Sequence, residues 1–288
     1  EAVDRGITFF DTADVYGDGR SEQLIARLRR ERPEATMVVA TKAGRRVDPH
    51  VNEGYTPEAL ESFIDRSRAY LEMETLDLVQ LHCPPPEVYY RRDIFDAMDD
   101  FVAAGKVAAY GVSVEKVEEA LKAIEFENVA TVQIIFNMLR HRPAGLFFRE
   151  AMARDIGVIA RVPLASGVLT GKMSAESTFA ADDHRTFNRK GEAFDVGETF
   201  SGVPFDVALE AMERIRSIVP EDATPAQTAL RWILDHQAVS TVIPGGKNPQ
   251  QVADNAASSD LEPLSEEAMA YVAGIYDSLI RDHVHHRW

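Results

Sequence analysis

The sequence contains a single cysteine, Cys83. That excludes an internal disulfide and fits a reducing cytoplasm. No uninterrupted apolar stretch approaches the roughly 20 residues of a membrane-spanning helix, and no signal-peptide pattern opens the chain. Basic residues are scarce, 31 Lys and Arg against 47 Asp and Glu, which leaves a net charge of −16. No Lys/Arg cluster offsets that balance, so it argues against a nucleic-acid-binding surface. There is no G-x-G-x-x-G after the first strand, no Walker loop and no G-x-S-x-G nucleophile elbow. Paired-cysteine metal spacing is missing as well, and the tail His283 to Trp288 reads as solvated rather than as a metal site.

What remains is ordinary in bulk: 45% hydrophobic and 27% charged residues over 288 positions, enough to bury a sizeable core. The stretch that organises the chain is Phe9-Phe10-Asp11-Thr12-Ala13-Asp14-Val15-Tyr16-Gly17. Ile7 to Phe10 reads as a strand buried on both faces, ending in Asp11, a residue poorly suited to a strand and costly to bury alone. Tyr16 follows on the next loop. A carboxylate at a strand end and a phenol just beyond it point to a site at a barrel mouth; the blander alternative makes Asp11 a loop cap and Tyr16 a rim residue.

Further along, short apolar runs alternate with helical stripes. Glu1 to Arg5 reads as helix ended by Gly6, and Ser21 as the cap of a helix with Leu24, Ile25 and Leu28 on one face. Strands are expected over Met37 to Lys42, Leu76 to Leu81 (ending in His82), Val107 to Val112 (running into Ser113) and Ala130 to Phe136. Two more are expected over Val158 to Leu164 and Ser240 to Ile243. Thr56-Pro57 and Thr224-Pro225 mark helix starts, cap followed by first-turn proline. Helices are also expected over Ile94 to Ala104, Val117 to Ile124, Leu146 to Arg154 and Phe205 to Val219, with a long final one from Ser265. Met173 to Val203 shows no sustained period, and a loop of that length is usually a lid or binding loop.

Regular alternation of strand and helix implies a parallel sheet with right-handed crossovers. Seven strands are legible. The fold class expected is α/β, a (β/α)8 TIM barrel spanning 1–288 as one domain, with a segment upstream of Glu1 supplying the eighth strand. In such a barrel Asp11, Lys42, His82, Ser113 and Asn137, each at the carboxyl end of a successive strand, ring one face. A lysine near a phenol favours the phenolate, and a carboxylate holds that lysine charged and oriented. A histidine can hydrogen-bond the oxygen that the phenol protonates. Together they make a proton donor aimed at a carbonyl oxygen that gains charge when hydride reaches its carbon, and hydride requires a nicotinamide cofactor.

Here the sequence resembles the aldo-keto reductase family over nearly its whole length. The motifs are Gly6 to Gly17, Ala40-Thr41-Lys42, Leu81-His82, Tyr110-Gly111-Val112-Ser113, Pro163 to Lys172 and Ile243 to Pro249. The resemblance implies Tyr16 as general acid, tuned by Asp11 and Lys42, with His82 orienting the carbonyl. It also implies NADP (NAD being possible) extended across the barrel mouth. Ser113 and Gln133 would hold the carboxamide, with Asn137 close by. The loop from Pro163 through Leu164, Ser166, Gly167, Leu169 and Gly171 to Lys172 would lie along the pyrophosphate. Gly245, Gly246, Lys247, Gln251 and Asn255 would hold the adenosine end, Lys247 taking the 2′-phosphate. Three positions depart from the family pattern: Val114 in place of Asn, Arg161 in place of an aromatic that stacks on the nicotinamide, and Gln251 in place of Arg.

The function expected is NADPH-dependent reduction of aldehydes or ketones to alcohols, or the reverse, on a small-molecule substrate in the cytoplasm. One alternative is a nucleotide-binding redox-sensing or regulatory barrel without appreciable turnover. Another is a hydrolase or lyase using His82 and Asp11, which lack of nucleotide binding would revive.

Overall fold

The computed structural model describes all residues, Glu1 to Trp288. Short apolar runs become strands: β1 (Phe9–Asp11), β2 (Val38–Ala43), β3 (Leu76–His82), β4 (Val107–Ser113), β5 (Val129–Ile135), β6 (Gly157–Arg161) and β7 (Val239–Val242). They pair in chain order, every neighbour parallel, in a curled half-barrel whose edges are β1 and β7. The helices are α1 (Arg20–Glu31), α2 (Pro57–Leu71), α3 (Arg92–Ala103), α4 (Val117–Ala123), α5 (Leu146–Ala153) and α6 (His184–Phe187). After them come α7 (Phe205–Ile215), α8 (Pro225–Leu234), α9 (Pro249–Ala256), α10 (Glu266–Ile275) and α11 (Arg281–Val284).

Side-chain alternation divides the core in two. Residues such as Val39, Val79, Val112 and Val158 join buried helix positions including Leu60, Ile64 and Leu71 in one large cluster. Each aliphatic side chain buried there contributes about 1.5–3 kcal/mol. Residues of the opposite parity, Ala40, Leu78 and Ile159, form a small separate layer with Phe9, Ala109 and Ile243. Two residues further along, the same face carries Asp11, Lys42, Gln80 and Arg161, and at β4 Ser113 follows two residues beyond Gly111. The polar layer therefore lies directly above a thin apolar floor, at the carboxyl ends of the strands. Gly111 keeps this face closed at β4: a Cβ there would lie 2.1 Å from Thr131 Oγ1, beside the register shift between Tyr110 and Gly111.

Local sequence signals set the helix ends where their chemistry is specific. The Thr56 and Thr224 side chains accept from the N–H groups of Ala59 and Gln227, with Pro57 and Pro225 in the first turn. Elsewhere the structure corrects expectation. Ser21 does not cap α1; Gly19 stands at that position and Ser21 Oγ accepts from Thr12 Oγ1 at 2.8 Å. Leu24 is exposed, so the buried face of α1 is carried by Ala26 with Ile25 and Leu28 partly buried. Glu1 to Arg5 contains only a 3-10 turn, Val3–Arg5. The sixth strand stops at Arg161, because Val162 (φ 52°) turns the chain. The helix from Phe205 tightens into a 3-10 turn at Arg216–Ile218, and the final helix is interrupted by a π-helical turn, Tyr276–Ile280. The tail is not solvated throughout: Trp288 is 3% exposed and donates from Nε1 to Asp195 Oδ1 at 2.9 Å.

Candidate active site

Register brings the strand-end residues together. Lys42 lies beside Gln80, His82 beside Ser113, and Ser113 beside Gln133 across successive strand pairs. Lys42 is 1% exposed, and its Nζ donates to Asp11 Oδ2 at 2.5 Å and to Thr12 O at 2.8 Å. A buried ammonium requires such partners. Gln133 Nε2 donates to the other Asp11 oxygen at 2.7 Å, and Gln80 approaches the same atom at 3.5 Å. Asp11 is thus fixed from three sides. Gln80 was legible in the sequence, since it precedes His82 by two residues on the same face.

Tyr16 stands at the rim on the loop after β1, its ring 5.2 Å from Lys42 Nζ and edge-on to the His82 ring at 6.0 Å. The residue is 45% exposed, yet its hydroxyl end is crowded by the strand-end charges. Burial raises the phenol's pKa above the usual 10, more than Lys42 lowers it, and the Asp11 charge adds to the rise. The lysine-lowered phenol expected from sequence is corrected here, because burial outweighs the Lys42 charge and Asp11 offsets part of it. His82 is held well below its usual pKa, first by burial and then by the Lys42, Arg45 and Arg161 charges. It is a neutral imidazole at pH 7, and its Nδ1 is buried without a hydrogen-bond partner.

Arg161 is not free to stack. It is buried at the end of β6, where its guanidinium pairs with Glu115 at 3.0 Å and with Glu198, and donates to Val114 O at 2.9 Å. One guanidinium serves two carboxylates, and burial pushes Glu115 up to about 7, with the Glu198 charge adding to the rise. Glu198 comes from the aperiodic Met173 to Val203 segment, so nothing in the local pattern announced it. The segment folds over the strand ends rather than away from them: Ser166 Oγ donates to Glu198 O, and Asn137 Nδ2 donates to Ser201 Oγ at 2.7 Å.

The remaining residues fall into two groups. Pro163, Leu164 and Leu169 pack in the turn after β6, where Ala165 (φ 46°), Ser166 (φ 55°) and Gly167 (φ 98°) are consecutively left-handed; Gly171 and Lys172 close the turn. Gly245, Gly246 and Lys247 are exposed after β7. There a helix not anticipated from sequence, α9, begins with Asn248 accepting from Gln251 N–H. Gln251 Oε1 accepts from Lys247 N–H, and Asn255 Nδ2 donates to Gly245 O, so these side chains shape the turn while the Lys247 ammonium stays unpaired.

These residues suit a dinucleotide. Ser113 and Gln133 are register neighbours at the ends of β4 and β5, and the space a Cβ would fill at Gly245 is open. A cation stands beside the first turn of α9, whose N–H groups favour anions.

Comparison with known proteins agrees with this architecture. The aldo-keto reductase YhdN of Bacillus subtilis (strain 168) is 29% identical over 271 residues, covering 92% of this chain and 76% of that protein. The aldo-keto reductase yakc [NADP(+)] of Schizosaccharomyces pombe is 26% identical over 261 residues, covering 88% and 74%. The solved glycerol dehydrogenase AKR11B4 from Gluconobacter oxydans superposes with a TM-score of 0.78 at 26% identity, covering 98% of this chain and 84% of that one. No helix here is long and apolar enough to cross a membrane. The sequence profile described as the Aldo/keto reductase family matches residues 1–277, and the chain belongs to that family of oxidoreductases.

Proposed function

We propose that this chain reduces aldehydes or ketones with NADPH, or runs the reverse oxidation, with Tyr16 as the general acid or base. The observation that carries the proposal is the buried Asp11–Lys42 pair beneath the Tyr16 ring, with His82 edge-on to the same ring. A phenol whose pKa is raised keeps its proton at neutral pH and can give it to an oxygen that gains negative charge. Neutral His82 donates from Nε2 to that oxygen and orients it. Lys42 supplies positive charge next to the developing phenolate, and Asp11 keeps the ammonium in place. When bound, the nicotinamide supplies the hydride that no side chain can. Ser113 and Gln133 hold its carboxamide, the Pro163–Lys172 turn borders the pyrophosphate, and Lys247 takes the 2′-phosphate. The name yakc [NADP(+)] supports the choice of cofactor.

The test is calorimetric titration with NADPH and NADH, followed by aldehyde turnover in the chain and in Tyr16→Phe. Micromolar or tighter NADPH binding is expected, stronger than NADH. In Tyr16→Phe that affinity should persist while kcat falls by at least about 100-fold. Near-normal turnover in the variant removes Tyr16 from the acid role, and absence of nucleotide binding removes the oxidoreductase chemistry.

A further inference from the structure

Arg161 ends β6 on the polar face, and the charges paired with it do not balance. Its guanidinium lies between Glu115, at 3.0 Å, and Glu198, so one positive charge meets two negative ones. With both carboxyls ionised the triad carries one excess negative charge. The side chains of Arg161, Glu115 and Glu198 are only 9%, 15% and 25% exposed, so water screens that charge poorly. The nearby Lys42–Asp11 pair cancels and His82 is neutral, so neither offsets the excess. The triad also abuts a residue that the proposed function gives to the nicotinamide carboxamide. Arg161 donates to the carbonyl of Val114, the residue after Ser113, at 2.9 Å. Cys83 Sγ joins the two, 3.5 Å from Ser113 Oγ and 3.8 Å from the Arg161 guanidinium. A nicotinamide held at Ser113 and Gln133 therefore comes within reach of the triad's charge. That ring is cationic when oxidised and neutral when reduced.

We propose that Glu115 and Glu198, held in place by Arg161, make this site select the oxidised form of the nucleotide over the reduced form. The proposal rests on the nucleotide-binding function above and names the charge that sets its redox preference. On the protein, stabilising the oxidised form favours the direction that produces it, carbonyl reduction. Glu115 makes the preference depend on pH. Its carboxyl faces Arg161 on β6, Glu198 and Asp195 between α6 and α7, and Arg140 after β5. On the remaining sides stand Cys83 and Tyr89 after β3, and Glu119 on α4, whose Oε2 accepts from the Glu115 N–H. Burial dominates these neighbours and pushes the Glu115 carboxyl up to about 7. Below that pH the carboxyl is protonated and the triad is neutral; above it the excess charge is present. Binding of the oxidised form therefore favours ionised Glu115 and releases part of a proton near neutrality.

The experiment titrates the full chain with NADP+ and with NADPH at pH 6 and at pH 8, beside Glu115→Gln and Glu198→Gln. The 2′-phosphate titrates in the same range but is common to both forms, so the ratio of the two affinities isolates the ring. In the parent that ratio should move toward NADP+ by about three- to ten-fold from pH 6 to pH 8, the scale of one unit charge in a partly buried site. In Glu115→Gln the ratio should not change with pH. In Glu198→Gln it should lie about three- to ten-fold below the parent's at pH 8, for the same loss of one charge. A ratio independent of pH in the parent, or a rise that persists in Glu115→Gln, overturns the charge selection while leaving the nucleotide site standing. Equal weakening of both forms in the two variants makes the triad a structural clamp and overturns it as well. No binding of NADP+ or NADPH at either pH overturns the nucleotide function and this inference with it.

Discussion

Asp11 Oδ2 and Lys42 Nζ meet at 2.5 Å from the ends of adjacent strands, and Asp11 is the only carboxylate paired with that nearly inaccessible ammonium. Asp11→Asn keeps the shape and removes the countercharge. A variant that breaks a buried pair loses about 3 kcal/mol of stability, because one charge stays buried without compensation. Denaturant unfolding should show that loss, and carbonyl reduction should fall with it. A variant as stable as the parent would show that Thr12 O and solvent suffice for Lys42.

Lys247 is exposed and its ammonium is unpaired. Replacing it with Ala should leave the fold unchanged and weaken NADPH by about ten-fold, the scale of a charge-assisted hydrogen bond. NADH affinity should move by less than about two-fold, since it has no 2′-phosphate. Equal weakening of both nucleotides would take Lys247 off the phosphate.

Glu115 gives a pH-dependence with a definite sign. Its carboxyl titrates near 4.5 in a free chain and is pushed up to about 7 in the folded one, so between those values the folded state holds more protons. Its stabilising contribution is full below about pH 4.5 and is lost as pH rises through 7. Glu115→Gln has no such titration. Thermal melts from pH 4.5 to 7.5 should therefore show the parent losing stability relative to the variant as pH rises. A constant difference would place the Glu115 carboxyl at an ordinary pKa.

Gly202 is left-handed at φ 78°, and a Cβ on it would lie 2.4 Å from the Trp288 ring. Gly202→Ala should cost about 1–3 kcal/mol from backbone strain alone, with more from the clash. In a Trp288→Ala background the clash disappears, so the same substitution should cost less. Additive losses in the double-mutant cycle would show that the two positions do not press on one another.

The strand ends were readable because their chemistry breaks a pattern. Asp11, Lys42 and His82 interrupt apolar runs at the points where strands stop, and period-two alternation then places them on one face. Gln80 and Gln133 obey the same alternation, although only the second was singled out. Glu115 and Glu198 were not legible. Their importance arises from Arg161, which one strand carries and which loops distant in sequence neutralise, and no local period encodes such a meeting. Trp288 was misread for a related reason: a polar tail with a terminal aromatic looks solvated until the cavity that receives the ring is known. Helix α9 hid behind the glycines before it, whose turn chemistry masks the Asn248-Pro249 start.

Trp232 and Trp288 are the chain's two indoles, and they occupy unlike surroundings. Trp232 is stacked on Phe136 and His141 with His236 edge-on, whereas Trp288 lies under Arg140 with its N–H bonded to Asp195. Intrinsic fluorescence therefore combines a reporter behind the sheet with a reporter at the segment that crosses the barrel mouth. Substituting Trp232 with Phe leaves emission from the mouth alone, an optical view of that segment that needs no attached dye.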